Sequence, residues 1–176
     1  DALHLAEELR TKHLKPVYHE KSHWIELRTL TNNYLALVDD IVRAKNRLKA
    51  VFRSEAVDTN TKNFYEDRDR AKELKNSNAI FVAESLYDQI ASLEKLKAEY
   101  KEKFEKNRKK YRPIRNLSTV PGIDLIRASI ITAVVCQPQR FRNKHQFWGY
   151  SMLVRHIQMS GGKIYGNKRI HGRKEL

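Results

Sequence analysis

The sequence predicts a mainly α protein: a long antiparallel helical hairpin of coiled-coil type, followed by a small α+β, helix-hairpin-helix-like C-terminal domain. Three observations carry this expectation. Two apolar seams with three–four spacing run through residues 21–112, divided by the polar stretch Val57–Asn78. No proline or glycine occurs between Val17 and Tyr111. All six glycines follow Pro113, so the last part is turn-rich where the middle is not. The expected divisions are 1–20, a terminal helix; 21–112, the helical hairpin; and 113–176, the C-terminal domain.

Leu3, Ala6 and Leu9 recur at helical spacing and predict a short helix over Ala2–Leu14. Pro16 ends it, because proline has no N–H to donate and restricts the residue before it. Val17-Tyr18 suits a short extended piece. The first seam is Trp24, Leu27, Thr31, Tyr34, Val38, Ile41, Lys45, Leu48 and Phe52, with Ser22 as a candidate cap. The polar connection is expected to hold an imperfect helix around Phe64–Leu74. The second seam is Ala79, Ala83, Leu86, Ile90, Leu93, Lys97, Tyr100, Phe104, Asn107 and Tyr111. The two seams can close on each other or on a second chain, and both are expected, the latter as a homo-oligomer. Past Pro113, helices are expected over Asp124–Val135 and Lys144–Met152. A strand pair, Leu153–Met159 and Lys163–Tyr165, would turn at Ser160-Gly161-Gly162.

Charge divides the chain the same way. Residues 1–105 carry 19 basic and 19 acidic side chains, whereas residues 106–176 carry 16 basic and 2 acidic. The whole formal excess of +14 therefore sits in the last 71 residues. A neutral front and a cationic back suit a polyanion, above all nucleic acid. Candidate contacts are Arg112, Arg115, Arg140, Arg142, Lys144, Arg155, Lys163, Lys168 and Arg169. Trp148 and Tyr150 can stack on bases or pack in the small domain.

Several classes are excluded. One cysteine, Cys136, forms no internal disulfide and no four-cysteine zinc site. The longest apolar run, Ala128–Cys136, is too short to span a bilayer, so no membrane partner is expected. No signal peptide is visible, and the start without Met and the basic end suggest a cut-down chain. The seven histidines show no ligand spacing, and no phosphate-binding glycine loop occurs.

Two motifs carry chemistry. Leu117-Ser118-Thr119-Val120-Pro121-Gly122-Ile123-Asp124 leads into an apolar helix, as in half of a helix-hairpin-helix that holds phosphate on backbone N–H groups. Asp124 would cap that helix yet repel phosphate, so a merely packed turn stays open. In Gln158-Met159-Ser160-Gly161-Gly162-Lys163, a serine on a permissive backbone lies among basic residues, which suits a nucleophile attacking a phosphodiester. On spacing alone an ordinary hairpin turn is the stronger reading.

Three blocks, in order, resemble a known family. Asp1-Ala2-Leu3-His4-Leu5-Ala6 resembles the helix closing a RuvC-like domain. Arg43-Ala44-Lys45-Asn46-Arg47-Leu48 resembles a recurrent helical motif. Val120-Pro121-Gly122-Ile123, Arg140-Phe141-Arg142, Phe147-Trp148-Gly149-Tyr150 and Ser160-Gly161-Gly162-Lys163 resemble a C-terminal transposase domain. The family is the DEDD-type insertion-sequence transposases, bridge-RNA-guided serine recombinases of bacterial mobile elements. The resemblance implies DNA transposition and recombination in the bacterial cytoplasm, near the nucleoid. It implies Ser160 as nucleophile and Asp1 as the last of four acids binding Mg²⁺. It implies DNA and a structured guide (bridge) RNA as partners, with protomers joined through the coiled coil. Arg155, Lys163 and Lys168 would neutralise phosphate. The other three acids do not occur in this stretch, so it is expected to bind nucleic acid without recombining DNA alone. The alternative is a non-catalytic coiled-coil nucleic-acid-binding module.

Overall fold

A computed structural model describes residues 2–13, 22–151 and 156–168, with backbone only for most of the last stretch. Asp1, Val17-Tyr18, Arg155 and Arg169 lie outside the described residues. The chain is mainly helical: α1 (Ala2–Arg10), α2 (Ser22–Ser54), α3 (Ser77–Lys110), α4 (Arg112–Leu117), α5 (Leu125–Val135) and α6 (Lys144–Tyr150), with strands β1 (His156–Ser160) and β2 (Lys163–Lys168).

Helix α1 stops at Arg10, short of the expected Leu14. Lys12 turns into positive φ (58°), and the Thr11 hydroxyl donates to the carbonyl of Glu7 at 2.8 Å, closing the last turn. None of its residues is buried.

Helices α2 and α3 run antiparallel, as their contacts show. Tyr34 meets Phe104 edge-on at 5.3 Å, Lys45 pairs with Glu94 at 2.7 Å, and Phe52 meets Tyr87 at 6.5 Å. As one number rises the other falls. Seven of the nine residues in the first expected seam are buried. Val38 and Lys45 are not; their neighbours Leu37 and Ala44 take the buried places. A straight helix drifts against a strict seven-residue repeat, so a two-helix contact slides by one residue along its length. Lys45 uses its half-buried place differently. Its ammonium meets the Glu94 carboxylate, whose pKa is held below the usual value first by that hydrogen bond.

The connection folds over the hairpin's tip. The helix expected at Phe64–Leu74 is instead a short 3₁₀ turn, Arg68–Glu73. The buried Arg70 explains the tighter form. Its guanidinium donates to Glu73 (3.0 Å), the Thr61 hydroxyl (2.5 Å) and the carbonyl of Asp58 (2.7 Å), and lies over the Phe64 ring at 5.1 Å. Phe52, Phe64, Leu74, Ala83, Tyr87 and Ile90 share the tip core. The Tyr87 hydroxyl donates to the carbonyl of Phe64 at 2.9 Å, and burial pushes its pKa up to about 12. A folded pKa raised above the unfolded value of about 10 gives stability present below pH 10 and lost as pH rises towards 12. In an alkaline titration followed by circular dichroism, we expect unfolding to become easier between pH 10 and 12. Tyr87→Phe should flatten that part of the curve; an unchanged curve would exclude Tyr87 as its source.

The C-terminal helices dock at the opposite end. Tyr111 interrupts the helical path, and Pro113 in the first turn of α4 restarts it, as proline there loses no needed hydrogen bond. Trp24, Leu27, Tyr111, Ile114, Ala128 and Ala133 form a second core. The Tyr111 hydroxyl donates to the carbonyl of His23 at 3.2 Å. Arg28 of α2 donates to the carbonyl of Ala133 at 3.1 and 3.3 Å, placing a cation at the negative C-terminal end of α5.

Helix α6 ends at Tyr150 rather than Met152, and Asn143 caps its start by accepting from the N–H of Gln146 at 3.0 Å. Strands β1 and β2 are antiparallel, with Ser160 opposite Lys163 and His156 opposite Lys168. The register shifts between Ile157 and Met159, giving β2 one extra residue and extending it past the expected Tyr165. No helix among the described residues is long and apolar enough to cross a membrane.

Candidate nucleic-acid interface

The turn between α4 and α5 was the first candidate anion site. Gly122 holds a φ of +86°, which the turn requires. Asp124 then caps α5, its carboxylate accepting from the N–H of Arg127 at 2.7 Å, while the Arg127 guanidinium donates to the carbonyl of Gly122 at 3.1 Å. The chain's own carboxylate thus takes the place a phosphate would need. Of the two readings left open by the sequence, the geometry supports the packed turn.

The second candidate is the β1–β2 turn. Gly161 and Gly162 have φ of +56° and +73°. Positive φ at both central residues marks the type I′ form, whose twist matches paired strands. Ser160 is the last residue of β1, and the exposed Lys163 faces it across the ladder.

The remaining basic candidates separate into groups. Arg112 and Arg115, three residues apart on α4, are exposed neighbours on one helix surface. Arg142 and Lys144, at the start of α6, are exposed as well. None of these four makes an ion pair among the described residues, although Lys144 lies over the Trp148 ring at 5.5 Å. Arg140 is different. It is half-buried, with its guanidinium over the rings of Phe141 (4.6 Å) and Tyr150 (4.4 Å), a packing role. Lys168 ends β2.

Within the hairpin several cations meet carboxylates: Arg43 with Asp40, Arg68 with Asp88, Lys72 with Asp69, and Lys97 with Glu94. Arg112, Arg115, Arg142 and Lys144 extend the run of exposed cations that begins at the end of α3 with Lys106, Lys109 and Lys110.

The two aromatic candidates also part. Tyr150 donates its hydroxyl to the carbonyl of Val134 at 3.0 Å and belongs to the packing, while Trp148 stays exposed. Among the described residues there is no group of three or more His, Cys, Asp or Glu able to hold a metal ion. These residues do not fit a Mg²⁺ site. Sequence reasoning missed Arg28, whose partner lies 105 residues away, and the cleft described below; neither has a local signal.

Residues 1–55 match the DEDD transposase model of the IS110 type. Residues 114–176 match the model described as the transposase IS116/IS110/IS902 family. No curated protein matches the chain. The first match takes in α1 and all of α2, and the second runs from α4 onwards, in the order expected of one transposase. The chain belongs to the IS110-type transposases.

Proposed function

We propose that this chain is the nucleic-acid-gripping part of a DNA transposase, in which α4, α6 and the β1–β2 turn face a DNA strand and a structured guide RNA. The observation that carries the reading is the exposed set Arg112, Arg115, Arg142 and Lys144, none in an ion pair among the described residues, in a segment with 16 basic and 2 acidic side chains. Exposed lysine and arginine without acidic partners suit phosphate, which they bind with release of counterions. The exposed apolar side chains Val42, Phe81 and Leu96 on the outside of the hairpin support a homo-oligomer through its helices. Sedimentation showing only single chains at micromolar concentration would count against it.

Within the intact transposase, Ser160 is the proposed nucleophile. Its oxygen bonds to phosphorus as the phosphodiester P–O bond to the departing strand breaks. The hydroxyl proton passes to the solvent or the leaving oxygen. Lys163, the ladder partner of Ser160, would offset charge on the phosphorane. The family is in general metal-dependent, but the residues described here form no Mg²⁺ site, so no step is assigned to the metal. Strand exchange by the 176-residue chain alone is not expected.

The test is Ser160→Ala in the full transposase. DNA affinity should stay within about twofold, because only a neutral hydroxyl is removed from a charge-dominated interface. The covalent protein–DNA adduct trapped on a denaturing gel should vanish. The second reading, a non-catalytic module, draws on the type I′ turn, which by itself accounts for Gly161-Gly162. No adduct from either protein would favour that reading, and an adduct that survives the substitution would move the nucleophile to another residue.

A further inference from the structure

A cleft of about 770 Å³ opens beside the cationic cluster, a size within the usual range for small-molecule sites. Thr132 and Val135 of α5 and Cys136 at its end line it. Pro113 and Leu117 of α4 and Trp24 of α2 make one wall, and Phe141 and Phe147 the other. The lining is therefore apolar and aromatic. Its edge carries amides, Asn116, Gln137 and Asn143, together with the ammonium of Lys144.

Two buried polar groups belong to this lining. Among the described residues, the indole N–H of Trp24 and the hydroxyl of Thr132 have no hydrogen-bond partner. Buried polar groups are nearly always paired, so two in one cleft's lining are an unusual concentration. The backbone beside them is also unusual: Cys136 holds a φ of +57° at the end of α5. Charge completes the setting. Arg112 is exposed one helical turn from Asn116 of the rim, and Lys144 belongs to the lining itself.

A second cavity, of about 590 Å³ between α3 and α5, is lined by Glu102, Glu105 and Asp124 as well as lysines. Its carboxylates oppose a polyanion.

We infer that the α4–α6 cleft receives an unstacked nucleobase from a bound strand, the base entering among the aromatic side chains while Arg112 and Lys144 hold the flanking phosphates. Flat apolar walls suit a base's faces. The amide rim, and the buried hydroxyl and indole N–H once side chains part, suit the donors and acceptors of its edge. The inference rests on the nucleic-acid reading above and adds a site to it. A base from DNA or from RNA offers the same chemistry.

The experiment measures affinity of the 176-residue chain for single-stranded DNA and RNA oligonucleotides, each with all bases present or with one abasic position scanned along it. The measurement is repeated with Asn116→Trp, an exposed rim position where a bulky ring plugs the cleft without entering either core. For the wild type, one abasic position should weaken binding by about tenfold, the scale of losing one base–aromatic stack. Asn116→Trp should bind intact and abasic strands alike, at the wild type's abasic affinity. Whichever strand shows the abasic penalty supplies the base. Equal binding of intact and abasic strands by the wild type overturns the inference, while retained salt-dependent affinity leaves the broader reading standing. An altered oligomeric state in Asn116→Trp, with no abasic penalty in the wild type, assigns the cleft to a second copy and overturns it too. Absence of affinity for any strand overturns both readings.

Discussion

Replacing Phe52 by Ala should destabilise the hairpin by about 3–5 kcal/mol, the range for truncating a fully buried phenylalanine. Phe52 has no exposed surface. It meets the Phe64 ring edge-on at 5.0 Å and the Tyr87 ring at 6.5 Å, and the Arg70 guanidinium lies over it at 5.8 Å. Its loss removes the ring on which the connection folds, so the hydrogen bonds of Arg70 lose their support. The loss should be local. The tip core and the base core share no residue, and only α2 and α3 link them. Hydrogen exchange should therefore rise across residues 52–87 well before it rises in α5. Affinity for nucleic acid should stay within about twofold, since the cationic surface is at the other end. Uniform loss of protection in both cores would show a single cooperative unit instead.

The second large effect is on binding. Replacing Arg112, Arg115, Arg142 and Lys144 together by Gln should weaken affinity for duplex DNA by about 10²–10³-fold at roughly 0.1 M salt. The slope of log K against log salt should become shallower by about 3–4, close to 0.9 for each phosphate contact removed. All four side chains are exposed, so the fold should be retained, with a melting temperature within a few degrees of the wild type. Arg140→Gln should do the opposite, lowering stability more than affinity, because its guanidinium is packed on Phe141 and Tyr150. An undiminished salt slope in the fourfold variant would move the phosphate contacts elsewhere.

The long helices were legible because their signal is periodic. Trp24, Leu27, Tyr34, Ile41, Leu48 and Phe52 mark one face of α2 without reference to anything else, and all are buried. Where the reading slipped, a tertiary partner decided. Ala44 lies inside and Lys45 beside it because Lys45 finds Glu94 on the other helix. The 3₁₀ turn at Arg68–Glu73 follows from Arg70 reaching back to Asp58 and Thr61, contacts no local pattern contains. Tyr87 was missed in the second seam because it lies beside the seam position Leu86 and turns its hydroxyl to the connection at Phe64 while its ring meets Phe52.

The site was legible by composition and only partly by position. The excess charge beyond Lys106 was plain from the sequence, but nothing there separates the packed Arg140 from the exposed Arg142 two residues on. Their difference lies in which aromatic rings α6 brings near. Likewise, the Asp after Pro121-Gly122-Ile123 could oppose phosphate or simply cap a helix, and its bond to the Arg127 N–H favours the cap. The cleft needed α2, α4, α5 and α6 together, so Trp24 and Thr132 carried no hint of a shared lining.

The most direct test of the central claim is the salt dependence of duplex DNA binding by the unaltered chain. If the surface on α4 and α6 grips phosphate, log K should fall with log salt at a slope of about −4 or steeper, from four or more contacts. A slope near zero, with affinity unchanged from about 50 to 200 mM salt, would contradict the account, whatever the affinity itself.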